Sequence, residues 1–175
     1  MRTTLLILLS LFFNGQLITA QTIDGDKSKV DFEISNLAFN TVEGSFSGLS
    51  GKVYLNEHAR NKSIFKVCLD PATIKTGIEK RDEHLRSEDF FWVSEYPEIC
   101  FTGNSFAYLG EGRWQIKGNL KIRDVKKEIT VILKQDEKQI SCDFQINRLD
   151  YKVGEDTSTF TAGDEVKLMV QIVLQ

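Results

Sequence analysis

Two scarcities narrow the chemistry of this chain before any pattern is read. It contains only two histidines, His58 and His84, and no G-x-S-x-G, HExxH, P-loop or CxxC motif. A serine nucleophile needs a base within reach and a structural zinc needs closely spaced chelating pairs, so neither chemistry finds its usual side chains. No cofactor fingerprint is present, and no cofactor is expected. Prolines are equally few, Pro71 and Pro97, so strands can run long without interruption. The apolar run Leu5 to Phe13, broken only by Ser10, is too short for a bilayer span, which needs about 20 residues. Strong charge is missing as well. A formal net charge of −3 gives no global attraction for nucleic acid or an anionic membrane, and neither partner is expected.

The N-terminus differs from the rest. Arg2, the apolar run and the small residue ending Ile18-Thr19-Ala20 have the order of a secretory signal peptide cleaved after Ala20. Residues 1–20 are therefore expected to be removed and the chain exported, periplasmic or secreted, with a retained membrane anchor as the alternative. No cysteine follows the run to take a lipid. Residues 21–175 then form one domain large enough to bury a core. Of the three cysteines, Cys142 shares parity with Ile140, Phe144 and Ile146 and reads as a small core residue. Cys68 and Cys100 lie in strand-like runs, and whether they pair is left open.

What is present is a period of two. Val30, Phe32 and Ile34 alternate with polar residues, as do Trp114, Ile116, Leu120 and Ile122, then Ile129, Val131 and Leu133, then Val166 to Leu174 at every second position. Each run offers one apolar face. Phe65, Val67 and Leu69 share a face by the same rule. In Val42 to Leu55 the parity changes at Ser47-Gly48, which predicts a hairpin with Phe46 and Leu49 at its ends. Gly77 to Ser87 breaks the pattern with helical spacing of Ile78, Arg81, Asp82 and Leu85. About eight strands and one short helix near residues 78–86 predict an all-β antiparallel barrel, whose closure removes exposed strand edges.

The helical segment also carries a resemblance. Arg81-Asp82-Glu83-His84-Leu85-Arg86-Ser87-Glu88-Asp89-Phe90-Phe91, then Tyr96-Pro97-Glu98-Ile99-Cys100-Phe101, resembles the RD-x-HL-x-S-x-DFF and YP-x-I-x-F signature of the YceI-like family. Ser28, Val30 and Phe32, then Val42, Gly44, Phe46 and Gly51, then Ile74, Thr76 and Gly77 follow the family's order. Gly118 to Ile122, Asn147-Arg148 and Gly163 to Val166 continue it, so the likeness spans nearly all of residues 22–175. Lys27 and Arg123-Asp124 depart from the pattern. The resemblance implies an eight-stranded, lipocalin-like barrel with a long apolar tunnel, and an association with polyisoprenoid lipids such as prenyl pyrophosphates or isoprenoid quinones.

Together, residues and resemblance predict a carrier whose wall draws on Phe32, Ile34, Phe46, Phe65, Phe101, Leu120, Ile122 and Phe144. Phe90, Phe91 and Trp92 would close one end beside the helix, and Trp114 could face tunnel or solvent. Arg148 is expected in an intramolecular salt bridge, with a fork onto a carboxylate or pyrophosphate as the alternative. Arg81 and Asp82 are expected to cap the helix or tie it down. Two rival readings stand beside the carrier. One is an enzyme on an amphiphilic substrate with His84 or Arg148 in its site, since Asp82, His84 and Asp89 form the tightest ionisable cluster. The other is a self-filled, ligand-free barrel. Oligomeric state, including a dimer, is left open.

Overall fold

The computed structural model describes residues 19–37, 40–159 and 161–175, so the expected signal segment lies almost wholly outside the described residues. Among the described residues there are ten strands: β1 (Gln21–Thr22), β2 (Lys29–Asn36), β3 (Asn40–Ser47), β4 (Ser50–Tyr54), β5 (Ile64–Leu69), β6 (Ile99–Gly110), β7 (Arg113–Ile122), β8 (Val125–Asp136), β9 (Gln139–Asn147) and β10 (Ala162–Val173). They form one curled antiparallel sheet in the order β1-β4-β5-β6-β7-β8-β9-β10-β2-β3. The one α-helix among the described residues, α1 (Glu79–Arg86), falls where helical spacing predicted it. Among the described residues no helix is long and apolar enough to cross a membrane.

The strand count is ten rather than eight, and the expected hairpin explains part of the difference. β3 pairs with β2 and β4 pairs with β5 and β1, so the two strands joined at Ser47-Gly48 belong to different parts of the sheet. The parity change there marks a corner, with Gly48 in the left-handed region at φ 69°. β1, two residues long, was too short to show any period.

Short segments, rather than a regular ladder, draw the two ends of the sheet together. At one end Gln21 and Thr22 pair with β4 while Ile23 bridges to Leu174, just past β10. At the other, Ser45 of β3 exchanges backbone hydrogen bonds with Lys75 at 2.9 and 3.0 Å, and Thr73 Oγ1 donates to the Ser47 carbonyl. Both bare edges gain partners this way.

Two covalent or polar anchors position the loops of one barrel end. Cys68 and Cys100 stand directly opposite on β5 and β6 and are joined by a disulfide across a sequence separation of 32. The closed loop holds the 3₁₀ turn Pro71–Thr73, α1 and the aromatic segment after it. Inside that loop, Arg81 Nε donates to Thr76 Oγ1 at 2.7 Å, while the buried Asp82 carboxylate accepts from the Thr76 N–H and hydroxyl at 2.9 and 2.5 Å. Arg81 and Asp82 thus tie the helix down, meeting on Thr76. Arg86 adds bonds to the Ala72 and Ile74 carbonyls.

Arg148 does the same for the loop between β9 and β10. It is 4% exposed, and its five N–H groups are all used on backbone carbonyls. Nε donates to Gly163, Nη1 to Val153 and Gly154, and Nη2 to Thr157 and Ala162. Burial pulls its pKa below the ordinary value and the nearby Asp164 carboxylate, 3.6 Å away, opposes that. The guanidinium is a fixed scaffold for residues 149–163.

These anchors carry two expected outcomes. Replacing both Cys68 and Cys100 by alanine removes a loop constraint worth about 3–4 kcal/mol, so thermal unfolding should fall by roughly 10 °C; an unchanged midpoint would show that the staple contributes nothing. Arg148→Lys keeps the charge but loses the fork. Denaturant unfolding should register a loss of about 2–4 kcal/mol, with protease cleavage appearing between residues 149 and 163, and wild-type resistance would refute the scaffold role.

Candidate functional site

The register of β10 builds the site. Leu168 lies opposite Phe32 of β2 on one side and Phe144 of β9 on the other. Val166 likewise joins Ile34 to Ile146, and Val170 joins Val30 to Cys142. β3 extends these rows with Val42 beyond Ile34 and Phe46 beyond Val30. Beyond Phe32 stands Gly44, where an added Cβ would sit 2.3 Å from the Phe32 ring, so the missing side chain is what leaves that ring its position. Every member of the rows except Gly44 faces a cavity of about 360 Å³, within the range of small-molecule sites.

The opposite wall comes from β5, β6 and β7. Phe101 pairs with Leu120 across the ladder, and the Phe65 and Phe101 rings meet edge to face at 6.1 Å. Ile122 and Ile99 continue this wall toward α1. On β5 the alternation slips: Phe65 and Cys68 are both buried while Val67 and Leu69 are half-buried. Opposite Val67 is Gly51, at φ 140°, where a Cβ would lie 1.9 Å from the Lys66 carbonyl. Only glycine fits.

α1 lies over the mouth. Arg81, His84 and Leu85 from the helix and Phe90 and Phe91 from the segment after it all line the cavity. The Phe91 ring meets Phe46 edge to face at 5.6 Å, and Phe46 is 5.6 Å from Phe32, so an aromatic chain joins lid to wall. The remaining polar lining residues, Ser35, Asn36, Arg148, Thr157 and Thr161, sit on the same end, at the strand termini and in the β9–β10 loop. His84 Nε2 is 3.2 Å from Asp89 Oδ2 and its ring is 5.0 Å from Phe90. Asp82 turns away to Thr76, so the expected ionisable cluster is divided.

The far end is closed. Leu49, Val53, Trp114, Ile116, Leu133, Ile140 and Leu174 are all nearly inaccessible and none of them lines the cavity. The expected long tunnel is therefore a blind pocket, because bulky side chains of β4, β7, β8 and β9 fill one half of the barrel. Trp114 faces inward as part of this plug and packs on Tyr108 at 5.1 Å.

Of the residues singled out in the sequence, Phe32, Ile34, Phe46, Phe65, Phe90, Phe91, Phe101, Leu120, Ile122, Phe144 and Arg148 line the cavity. Trp92 does not. Its backbone takes φ 47°, and its ring packs against Tyr96 at 5.7 Å with the Arg123 guanidinium 5.8 Å away. Arg123 also donates to the Phe90 and Lys152 carbonyls, clamping the lid to the β9–β10 loop from outside. Arg148 lines the cavity with its N–H groups on backbone carbonyls and with the Asp164 carboxylate 3.6 Å away, the intramolecular ion pair that the sequence led one to expect. Val166, Leu168 and Val170 were visible as an apolar face, but their place opposite both Phe32 and Phe144 needed the strand order. Cys142 is wall as well, and burial pushes its thiol up to about 12, which leaves it protonated and inert at neutral pH.

Residues 21–174 match the sequence model of the YceI-like domain. A UPF0312 protein of Ectopseudomonas mendocina is 33% identical over 132 residues, covering 74% of this chain and 69% of that protein. A UPF0312 protein of Pseudomonas savastanoi is 30% identical over 120 residues, and there the match spans under two thirds of the relative, 62%. Among solved structures, BcnA of Burkholderia cenocepacia aligns with a TM-score of 0.78 at 23% identity, over 87% of this chain and 99% of that one. A polyisoprenoid binding domain from Saccharophagus degradans aligns with a TM-score of 0.70 at 18% identity, over 89% and 98%. These two likenesses are of fold. With the domain match covering nearly all of the chain after residue 20, this protein belongs to the YceI-like family.

Proposed function

We propose that this protein is an exported carrier that holds the chain of a polyisoprenoid or similarly long apolar lipid, such as a prenyl pyrophosphate or an isoprenoid quinone, under α1. The observation that carries the reading is the composition of the wall: three apolar rows across β3, β2, β10 and β9, with polar groups confined to the mouth. A saturated or prenyl chain binds through non-directional burial, about 0.8 kcal/mol for each methylene removed from water, and needs no fixed polar partner along its length. The Saccharophagus degradans neighbour, described as polyisoprenoid binding, supports the same ligand class. The self-filled reading describes the plugged half of the barrel but leaves the lined half without a role. The leader-like order of residues 1–20 and the Cys68–Cys100 disulfide support export to an oxidising compartment.

Native mass spectrometry of the protein purified from its own host, followed by organic extraction, tests the ligand. The expected result is a bound species with an isoprenoid fragmentation ladder; apo protein that takes up no added prenyl lipid would favour the ligand-free barrel. Phe32→Asp with Phe144→Lys charges both neighbours of Leu168 and should abolish uptake, and Phe144→Lys alone, at a half-buried position, covers the case in which the double variant fails to fold. A folded variant that still binds would reject this wall. The same intact mass reports export: the secreted chain should begin at Gln21, and a mass retaining Met1 would contradict cleavage.

A further inference from the structure

β8 and β9 are 12 and 9 residues long, yet they pair at only three positions, Lys134 with Ser141, Gln135 with Ile140 and Asp136 with Gln139. Beyond these, β8 stays laddered only to β7, and β9 only to β10. Near the mouth the 3₁₀ turn Leu149–Tyr151 is wedged into the gap. Tyr151, 2% exposed, belongs to a small core cluster against which Ile129 of β8 and Ile146 of β9 also pack, and Asp150 pairs with Lys127 at 2.5 Å. Between wedge and ladder lies an interval of wall with strand edges on both sides and no backbone pairing across it. Such edges in a curled sheet are normally covered or closed.

Two separate cavities approach that interval from either side and share one lining residue. Val131, Cys142 and Phe144, from its two borders, line the inner cavity, while an outer crevice, lined by Arg113, Ile132, Leu133, Lys134, Ser141, Cys142 and Asp143, opens beside the last paired rung. Cys142 belongs to both. Ile132, on the outer lip, is an aliphatic side chain left 54% exposed. The blind end matters here, because the lined part of β2 runs only from Val30 to Asn36, about 20 Å at ~3.4 Å per residue. A longer chain has to fold back on itself or leave by another route.

We propose that the seam between β8 and β9 is a side exit of the cavity, through which the far end of a bound apolar chain longer than the cavity passes into the crevice beside Ile132. This rests on the apolar-ligand reading above and adds a length rule to it. Chains that end inside the cavity are indifferent to the seam, and longer chains gain contact from it. The mouth under α1 admits the ligand and the seam sets how much of its tail the protein covers.

The test compares polyprenols of three and of nine isoprene units, added in detergent micelles and read by native mass spectrometry. Ile132→Asp charges the outer lip at an exposed position where folding is undisturbed. Thr130→Cys with Gln145→Cys, in a Cys142→Ser background, joins the two strands where the Lys134–Ser141 register would continue, and the same variant with blocked thiols leaves the seam open. Losing even two buried methylenes is worth about tenfold in affinity. The nine-unit chain should weaken by at least that factor in Ile132→Asp against wild type and in the sealed variant against the same variant with blocked thiols, with the three-unit chain bound equally in each comparison. Equal binding of the long chain to sealed and open protein overturns the exit while leaving the carrier intact. Failure of the wild type to bind either chain overturns both.

Discussion

The site depends on a single register. Leu168 must stand opposite both Phe32 and Phe144, because a strand alternates its faces and a slip of one residue on β10 would turn Val166, Leu168 and Val170 to solvent and Glu165, Lys167 and Met169 inward. What holds the register lies at the ends of the strand. Arg148 ties the chain entering β10 through the Ala162 and Gly163 carbonyls, and past the far end Leu174 bridges to Ile23 while its N–H bonds to the Lys138 carbonyl. Ser28, 2% exposed, adds a hydroxyl that accepts from the Val173 N–H and donates to the Asp24 carbonyl. The apolar middle of β10 is thereby free of any polar task and can serve wholly as wall.

A cavity in a protein of this size is an energetic anomaly, since interiors pack to crystal-like density and an empty lining forfeits dispersion contacts. The protein divides the problem by length. Its far half is filled by Trp114, Ile116, Leu133 and Ile140 and supplies the stability of an ordinary core. Its near half is spanned by two tethered loops, one closed by the Cys68–Cys100 disulfide and one gathered on Arg148, with Arg123 joining them. Covalent closure and saturated hydrogen bonds hold the near half open without side chains filling it. The opening is kept by the loops and the fold is kept by the plug.

The strand periods and the helix were legible because each depends on local alternation: Val30 to Ile34, Trp114 to Ile122 and Ile78 to Leu85 announce their geometry within one turn or one pleat. Most of the wall was legible for the same reason, being the apolar face of those strands. What was not legible is long-range. Nothing local distinguishes a hairpin from the corner at Ser47-Gly48, since both need a parity change and a glycine. Trp92 sits beside Phe90 and Phe91 in sequence, but its left-handed backbone swings it out to Tyr96 and Arg123, and β-parity does not apply in that loop. Cys68 stands on the opposite parity from Phe65, and its burial goes with the disulfide to Cys100 rather than with the apolar face of the strand. Trp114 and Phe144 carry the same kind of signal; only the strand order separates plug from cavity.

The distribution of polarity bears on how such a site can discriminate. The donors and acceptors at the mouth are largely committed: Arg148 to five carbonyls, Asp82 to Thr76, and His84 beside Asp89. Along the wall the side chains are aliphatic or aromatic, and the Cys142 thiol is held protonated by burial. Recognition by matched hydrogen bonds rejects a wrong ligand by stranding a buried polar group, which is how large discrimination factors arise. A wall of this kind has nothing to strand. It can select only by width, which the facing Phe32, Phe65, Phe101 and Phe144 rings restrict, and by length, which the plug at one end and the loops at the other restrict. One added methylene changes affinity by a few-fold, so selectivity among homologous chains is graded rather than absolute. A carrier built this way accepts a class of lipids, and the chain length it favours follows from where its wall ends.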